Sequence, residues 1–184
     1  MTDEQVAAAE AAGGPILHIP MTSGAVIVNL PNVQQGQLKL TPDVLADIYL
    51  KKITKWNDSR IADINSEISL LDIAIVRRSD GSGTTFIFTN YLSKVSSGWK
   101  TKVGNATTVQ WPGDIGGEKN DGVAQQARQI PGAIGYVELA YAIQNNPSWT
   151  SLQNKSGKYV EPSFVLVSGF SYIKTSSRSC RSLK

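Results

Sequence analysis

Histidine and cysteine are almost missing from this chain. Its 184 residues hold one of each, His18 and Cys180. One thiol cannot close an internal disulfide, so cysteine usage leaves the redox compartment open. One Cys and one His do not make a zinc-ligand set, and no metal or other cofactor is expected. His18 lies in an apolar run, where an imidazole is a packed or edge residue rather than a general base. A Ser82–His18–acid triad has no support in the spacing.

Long apolar runs are missing too. None approaches the roughly 18–20 residues that span a membrane, and the alanine run from Ala7 to Ala12 is interrupted by Glu10. The chain is therefore not expected to be membrane-spanning. Met1-Thr2-Asp3-Glu4 lacks the basic start of a secretory signal. A dominant charge sign is lacking as well. The formal net charge is +3, but the four basic residues of the Ser171–Lys184 tail, which has no acid, leave −1 for residues 1–170. A near-neutral body with a basic tail is not a nucleic-acid footprint. The chain shows no aromatic–basic interleaving of the kind single-stranded nucleic acids use, the four tryptophans reading as core or loop packing, and no nucleic-acid partner is expected.

What is present reads as a globular chain, 41% hydrophobic and 18% charged. Thr2 to Ala12 suits a helix ended by Gly13-Gly14-Pro15. Ile16–Met21 and Gly24–Leu30 are largely apolar and suit strands covered on both faces. Thr41-Pro42-Asp43 is a helix start, with Thr41 as N-cap and Pro42 in the first turn. Val44, Leu45, Ile48 and Tyr49 follow as its apolar stripe. Trp56-Asn57-Asp58 predicts a turn, Ile61–Ile64 a helical turn, and Asp72–Val76 a strand.

The spacing predicts a helix from Thr85 to about Lys94. Val103–Trp111 reads as loop or short strand, and Gly113–Gly117 as a glycine-rich loop. A helix capped by Asn120 or Asp121 then runs to about Gln129, burying Val123, Ala127 and Ile130. Ala133–Val137 is a strand and Glu138–Gln144 a helix, stopped at Asn145-Asn146-Pro147. Phe164–Val167 could be a strand, and Ser171–Lys184 carries no packing pattern. Alternating strands and helices of this length indicate an α/β fold.

The chemistry concentrates in Val76-Arg77-Arg78-Ser79-Asp80-Gly81-Ser82-Gly83-Thr84-Thr85-Phe86. A strand feeds a glycine-rich turn, and the turn feeds a helix. Glycine lets backbone N–H groups converge, and a helix N-terminus carries partial positive charge. Ser82 and Thr84 add hydroxyls, and Arg78 adds a forked cation. Arg77 points the other way if the strand alternates, hence to solvent. Asp80 is the one group unsuited to an anion; it reads as a buttress for Arg78 or a cap of the turn. By itself Gly81-Ser82-Gly83-Thr84 is an ordinary strand-to-helix connection. It is neither a Walker loop nor a Rossmann fingerprint. With Arg78 beside it, the turn suits a small oxyanion, phosphate first.

The stretch from Val76 to Leu92 closely resembles the anion-loop signature of the periplasmic phosphate-binding proteins of the phosphate ABC transporter (the PstS type). Three more segments are similar and in the same order. They run Leu45 to Asp58 (LADIYLKKITKWND), Gly117 to Val123 (GEKNDGV) and Pro131 to Glu138 (PGAIGYVE). The resemblance spans about residues 1–163. It implies a type II periplasmic-binding-protein-like lobe, a mixed sheet flanked by helices and incomplete at both ends. It implies phosphate contacts from the Arg78 guanidinium, the Ser82 hydroxyl, the Gly83 and Thr84 backbone N–H groups and the Thr84 hydroxyl, with Asp80 holding Arg78.

It further implies a periplasmic or cell-surface solute-binding protein, not an enzyme. Such a protein would be monomeric and deliver inorganic phosphate to a membrane permease without metal or cofactor. In the family, the other ligands come from a Thr-Phe pair, a serine after a glycine-rich stretch, and an aspartate, all upstream of Met1. The chain therefore resembles an internal fragment, with binding expected to be impaired alone and discrimination against sulfate poor. The expected layout is 1–19 as remnant of a first lobe and crossover, 20–165 as a second-lobe domain, and 166–184 as an atypical, disordered tail. Two alternatives stand beside it: a phosphate-ester hydrolase or transferase using the same turn, and a non-functional truncated product.

Overall fold

The structure, a computed structural model, describes residues 3–16, 26–29, 37–65, 72–113, 115–145 and 148–162. His18, Cys180, the tail from 163, the strand expected at Phe164–Val167 and all but the first residue of that expected at Ile16–Met21 lie outside these residues.

A four-stranded mixed sheet positions the turn between Arg78 and Gly83. Its strands are β1 (Val26–Asn29), β3 (Ala74–Arg78), β4 (Ile115–Gly117) and β5 (Ala133–Glu138), in the order β1-β5-β3-β4. β1 runs antiparallel to β5, with Ile27 opposite Val137. β3 runs parallel to β5, with Ile75 opposite Ile134, and parallel to β4, with Arg78 opposite Gly117. A separate small sheet joins β2 (Lys39–Leu40), β6 (Ser151–Gln153) and β7 (Tyr159–Val160).

Side-chain alternation along the strands divides the core in two. Val28, Ile75, Ile134 and Tyr136 face one cluster, with α2 (Pro42–Tyr49), Phe88 and Leu92 of α4 (Gly83–Val95), and Trp99 of α5 (Ser97–Lys102). Ile27, Val76, Ala133 and Val137 face the other. There they meet Val123, Ala124 and Ala127 of α6 (Lys119–Gln129) and Leu139 and Ala142 of α7 (Leu139–Asn145). Both faces are covered, which is why these strands read as continuous apolar runs. The α/β class and mixed sheet expected from the sequence are present.

Local chemistry explains the helix starts. The Thr41 hydroxyl accepts the Val44 N–H at 3.3 Å, with Pro42 in the first turn of α2. Asp58 caps the short α3 (Ser59–Ala62) by accepting the Arg60 N–H. The Glu138 carboxylate accepts the Tyr141 N–H at 3.1 Å where β5 hands over to α7. Helix α1 (Asp3–Gly13) stops before Gly14, whose φ of +90° leaves the helical region.

Several expectations need correction. Residues 115–117 of the expected loop Gly113–Gly117 form strand β4. Its two glycines hide the strand signal because they carry no side chains, and Gly117 is there for packing. A Cβ on Gly117 would lie 2.4 Å from the backbone of Gly122 and Val123, so β4 and α6 meet backbone to backbone. Neither Asn120 nor Asp121 caps α6. The helix starts at Lys119 without a cap from its own first turn. Ala124 joins Val123 and Ala127 as buried, while Ile130 is only partly covered. Helix α5 was not anticipated: the Ser96 hydroxyl caps it, and the fully buried Trp99 anchors it through an indole N–H donated to the Gly104 carbonyl at 2.8 Å. Residues 103–111 form no strand.

Candidate anion-binding site

Arg78 ends β3, and Gly83 begins α4. The four residues between them set the site. Ser82 has extended backbone angles, and its hydroxyl accepts the Thr84 N–H at 3.1 Å and the Thr85 N–H at 3.4 Å. It is therefore the N-cap of α4, which explains why the helix starts two residues before the expected Thr85. The Ser82 N–H donates to the Thr107 carbonyl at 2.9 Å, pinning the turn to the loop after α5.

Arg78 is only 9% exposed. Its Nε donates to Asp80 Oδ1 at 2.8 Å, and its Nη2 donates to Asp80 Oδ2, a two-point clamp. Nη1 donates to Asn120 Oδ1 at 3.4 Å. A guanidinium has five N–H bonds. Three are engaged among the described residues, which leaves one on each Nη for a further acceptor. The side-chain bond from Arg78 holds the Asp80 carboxyl far below the usual carboxylate range, and the same bond raises the Arg78 pKa. Both groups stay charged at neutral pH. Asp80 Oδ1 also accepts the Lys119 N–H at 3.1 Å, giving α6 the cap it lacks locally.

The pair Arg78–Asp80 is formally neutral. Attraction for an anion here rests on converging donors rather than on net charge. The groups able to give a hydrogen bond are two guanidinium N–H bonds, the Ser82 and Thr84 hydroxyls, and the Gly83 N–H. The Gly83 N–H has no acceptor among the described residues. An ideal Cβ on Gly83 would meet nothing within 4 Å, so the space beside it is open. The Thr84 N–H is different. It is already engaged by Ser82 Oγ, so the expectation that it is a free backbone donor is corrected: the cap consumes it. Asp80 accepts from Arg78 at two points, and its role as a buttress in anion binding belongs to the proposal below.

Arg77 also departs from expectation. It is half-buried rather than turned into solvent; its Nη1 donates to the Arg78 carbonyl at 3.2 Å, and its side chain lies over Gly116 of β4. Its alternation was foreseen, but the neighbouring strand that covers it was not.

Three contacts escaped the sequence. The Arg78 N–H donates to the Tyr136 hydroxyl at 3.2 Å. That hydroxyl is 2.8 Å from Thr85 Oγ1. Asn120 faces the guanidinium. Tyr136 sits in an apolar strand where nothing local marks a hydroxyl partner, and Asn120 read as a helix cap.

A sequence profile for the PBP superfamily domain matches residues 1–177. The chain belongs to the PBP superfamily. It is 53% identical over 166 residues to a protein named phosphate-binding protein PstS from Xylella fastidiosa, covering 88% of this chain and 46% of that protein. It is 51% identical over 166 residues to the PstS protein of Pasteurella multocida, covering 88% and 48%. The PstS protein of Methanocaldococcus jannaschii is 45% identical over 161 residues, at 82% and 41% coverage. The chain spans about half the length of the curated relatives it matches.

Among solved structures, a human phosphate-binding apolipoprotein superposes with a TM-score of 0.66 at 20% identity, over 87% of this chain and 48% of that one. A high-affinity periplasmic phosphate-binding protein bound with phosphate (PfluDING) superposes with a TM-score of 0.65 at 18% identity, over 92% and 50%. At those identities the superpositions establish the shared fold. The likeness to PstS-type proteins read from the four motifs holds.

Proposed function

We propose that this chain binds inorganic phosphate as part of the substrate-binding component of an ABC-type phosphate importer. The observation that carries the reading is the buried Arg78, clamped by Asp80 yet retaining, among the described residues, one N–H on each terminal nitrogen, at the end of the strand that feeds the capped N-terminus of α4. Relatives about half identical to the chain bear the name of phosphate-binding proteins, which supports the choice of anion.

In this reading Arg78, Ser82, Gly83 and Thr84 contact the anion, Thr84 through its hydroxyl, and Asp80 supports Arg78. Binding and delivery to a permease is the role, not bond making or breaking. This reading assigns the protein to the periplasm or the cell surface, and it is supported by a structural neighbour described as a periplasmic phosphate-binding protein. Among the described residues no helix is long and apolar enough to cross a membrane.

The experiment is a nuclear magnetic resonance titration of the 184-residue chain, carried to millimolar phosphate. Saturable shifts of the Gly83 amide and the Arg78 Nε–H are expected in the parent, with the Gly83 shift lost in Arg78→Ala. Spectra unmoved by phosphate overturn the proposal. Turnover of p-nitrophenyl phosphate, with or without divalent metal, that is lost in Arg78→Ala would instead make the turn a hydrolase's substrate cradle.

A further inference from the structure

The strand carrying Arg78 and the helix carrying Ser82, Gly83 and Thr84 are separate elements, so a donor set drawn from both needs a fixed spacing. The sheet does not supply it alone. N–H groups alternate in direction along a strand. In β3 the Ala74 N–H points toward β5, donating to the Gly132 carbonyl, whereas the Ser79 N–H points toward β4, donating to the Gly117 carbonyl. The Arg78 N–H therefore faces β5. There the paired register runs only through Ala74–Ala133 and Ile75–Ile134.

A side chain takes over at that point. The Arg78 N–H donates to the Tyr136 hydroxyl at 3.2 Å. The same hydroxyl lies 2.8 Å from Thr85 Oγ1, in the first turn of α4. The Thr85 N–H in turn donates to Ser82 Oγ at 3.4 Å. Tyr136 is fully buried and Thr85 nearly so. The phenol ring is held in place: it stacks on Phe88 at 4.4 Å between centroids and on Trp111 at 5.6 Å. A hydroxyl on a ring so held has little freedom to follow the strand or the helix.

We infer that Tyr136 and Thr85 are positioning residues that fix the distance between Arg78 and the Ser82–Thr84 end of α4, and so set the strength of anion binding. This rests on the phosphate reading above. Neither residue touches the anion. Each acts through a hydrogen bond whose loss frees one half of the donor set from the other. Tyr49 provides the contrast: it packs in the same aromatic cluster, 6.4 Å from the Tyr136 ring, yet its buried hydroxyl has no partner among the described residues.

The test uses Tyr136→Phe, Thr85→Val, Thr85→Ser and Tyr49→Phe in the 184-residue chain, with inorganic phosphate as the probe. The dissociation constant should rise about tenfold in Tyr136→Phe and in Thr85→Val, the scale of one buried hydrogen bond. The double variant should be no worse than either single one, because both cut the same link. Thr85→Ser should restore binding, and Tyr49→Phe should leave it unchanged. A purely structural role would lower thermal stability in these variants without changing affinity.

Amide hydrogen exchange at Arg78 gives a readout independent of the anion. Its N–H should exchange faster in Tyr136→Phe than in the parent. If the parent takes up no phosphate, the phosphate reading fails, and exchange at Arg78 still decides whether Tyr136 holds the strand end. Unchanged affinity in both hydroxyl-deleted variants overturns the inference, and so does unchanged exchange at Arg78.

Discussion

Asp80 accepts from both Nε and Nη2 of Arg78, the residue two places before it. Strand β3 ends at Arg78 and the chain bends at Ser79 and Asp80, which turns the carboxylate onto the guanidinium two residues back. The Ser79 N–H still donates to the Gly117 carbonyl at 3.0 Å, so the bend starts from a fixed point on β4. The same carboxylate reaches across to the Lys119 N–H, so one side chain fixes the cation and the start of α6 together. Lys119 has φ of +58°, a left-handed conformation costly for a residue with a Cβ. The bond from its N–H to Asp80 helps hold it there.

The clamp makes stability depend on acidity. The Asp80 pKa is depressed in the folded chain, chiefly by its bond from Arg78. The unfolded chain binds that proton near the ordinary carboxylate value of about 3.9. The stabilisation is therefore complete above that value and declines as pH falls below it toward the folded pKa. Asp80→Asn should flatten the acid limb of the stability–pH curve below about pH 4 relative to the parent. If the unfolding free energy from chemical denaturation falls equally between pH 6 and pH 3 in Asp80→Asn and in the parent, Asp80 is not the linked group.

Arg78→Ala and Arg78→Lys separate charge from geometry. Alanine leaves Asp80 without its cation and removes both remaining N–H donors. Phosphate affinity should fall by at least about a hundredfold, in line with the several kcal/mol that loss of a buried charge partner costs. Lysine restores the charge, but it cannot meet both Asp80 oxygens in a planar fork while presenting two further donors. Calorimetry should place it well below the parent, and affinity equal to the parent's would show that charge alone suffices.

Ser82→Ala removes the cap. Two amides, those of Thr84 and Thr85, lose their acceptor. Thermal unfolding should show a loss of about 1 kcal/mol, the usual cost of an N-cap. The Thr84 amide, no longer engaged, should exchange faster with solvent. Protection equal to the parent's at Thr84 would mean that another acceptor holds it.

Two glycines in the same region should respond oppositely to alanine. At Gly117 the new Cβ would fall 2.4 Å from the α6 backbone, which cannot step aside as a side chain can. Gly117→Ala should cost about 1–3 kcal/mol or more, as overpacking does. At Gly83 the space is open and φ is not positive, so Gly83→Ala should fold with stability within about 0.5 kcal/mol of the parent. Equal melting temperatures for the two variants would contradict the close approach of β4 to α6.

Features governed by near neighbours in sequence were legible from the sequence by itself. The N-cap at Thr41, the stop before Gly14, the two-faced strands around Ile27, Ile75 and Ile134, and the Arg78–Asp80 pairing all follow from residues a few places apart, where φ/ψ preference, alternation and short-range hydrogen bonding decide. The tertiary structure alone decided what lies between distant positions. It made a strand of Ile115–Gly117, whose glycines carry no pattern, because α6 packs on it. It tucked Arg77 against Gly116, and brought Asp80 to Lys119, 39 residues away, and Tyr136 to Arg78, 58 away. The physical reason is that a side chain's hydrogen-bonding partner depends on which strands lie side by side. That order is chosen by burial of the two apolar clusters as a whole, and no short window of residues contains it.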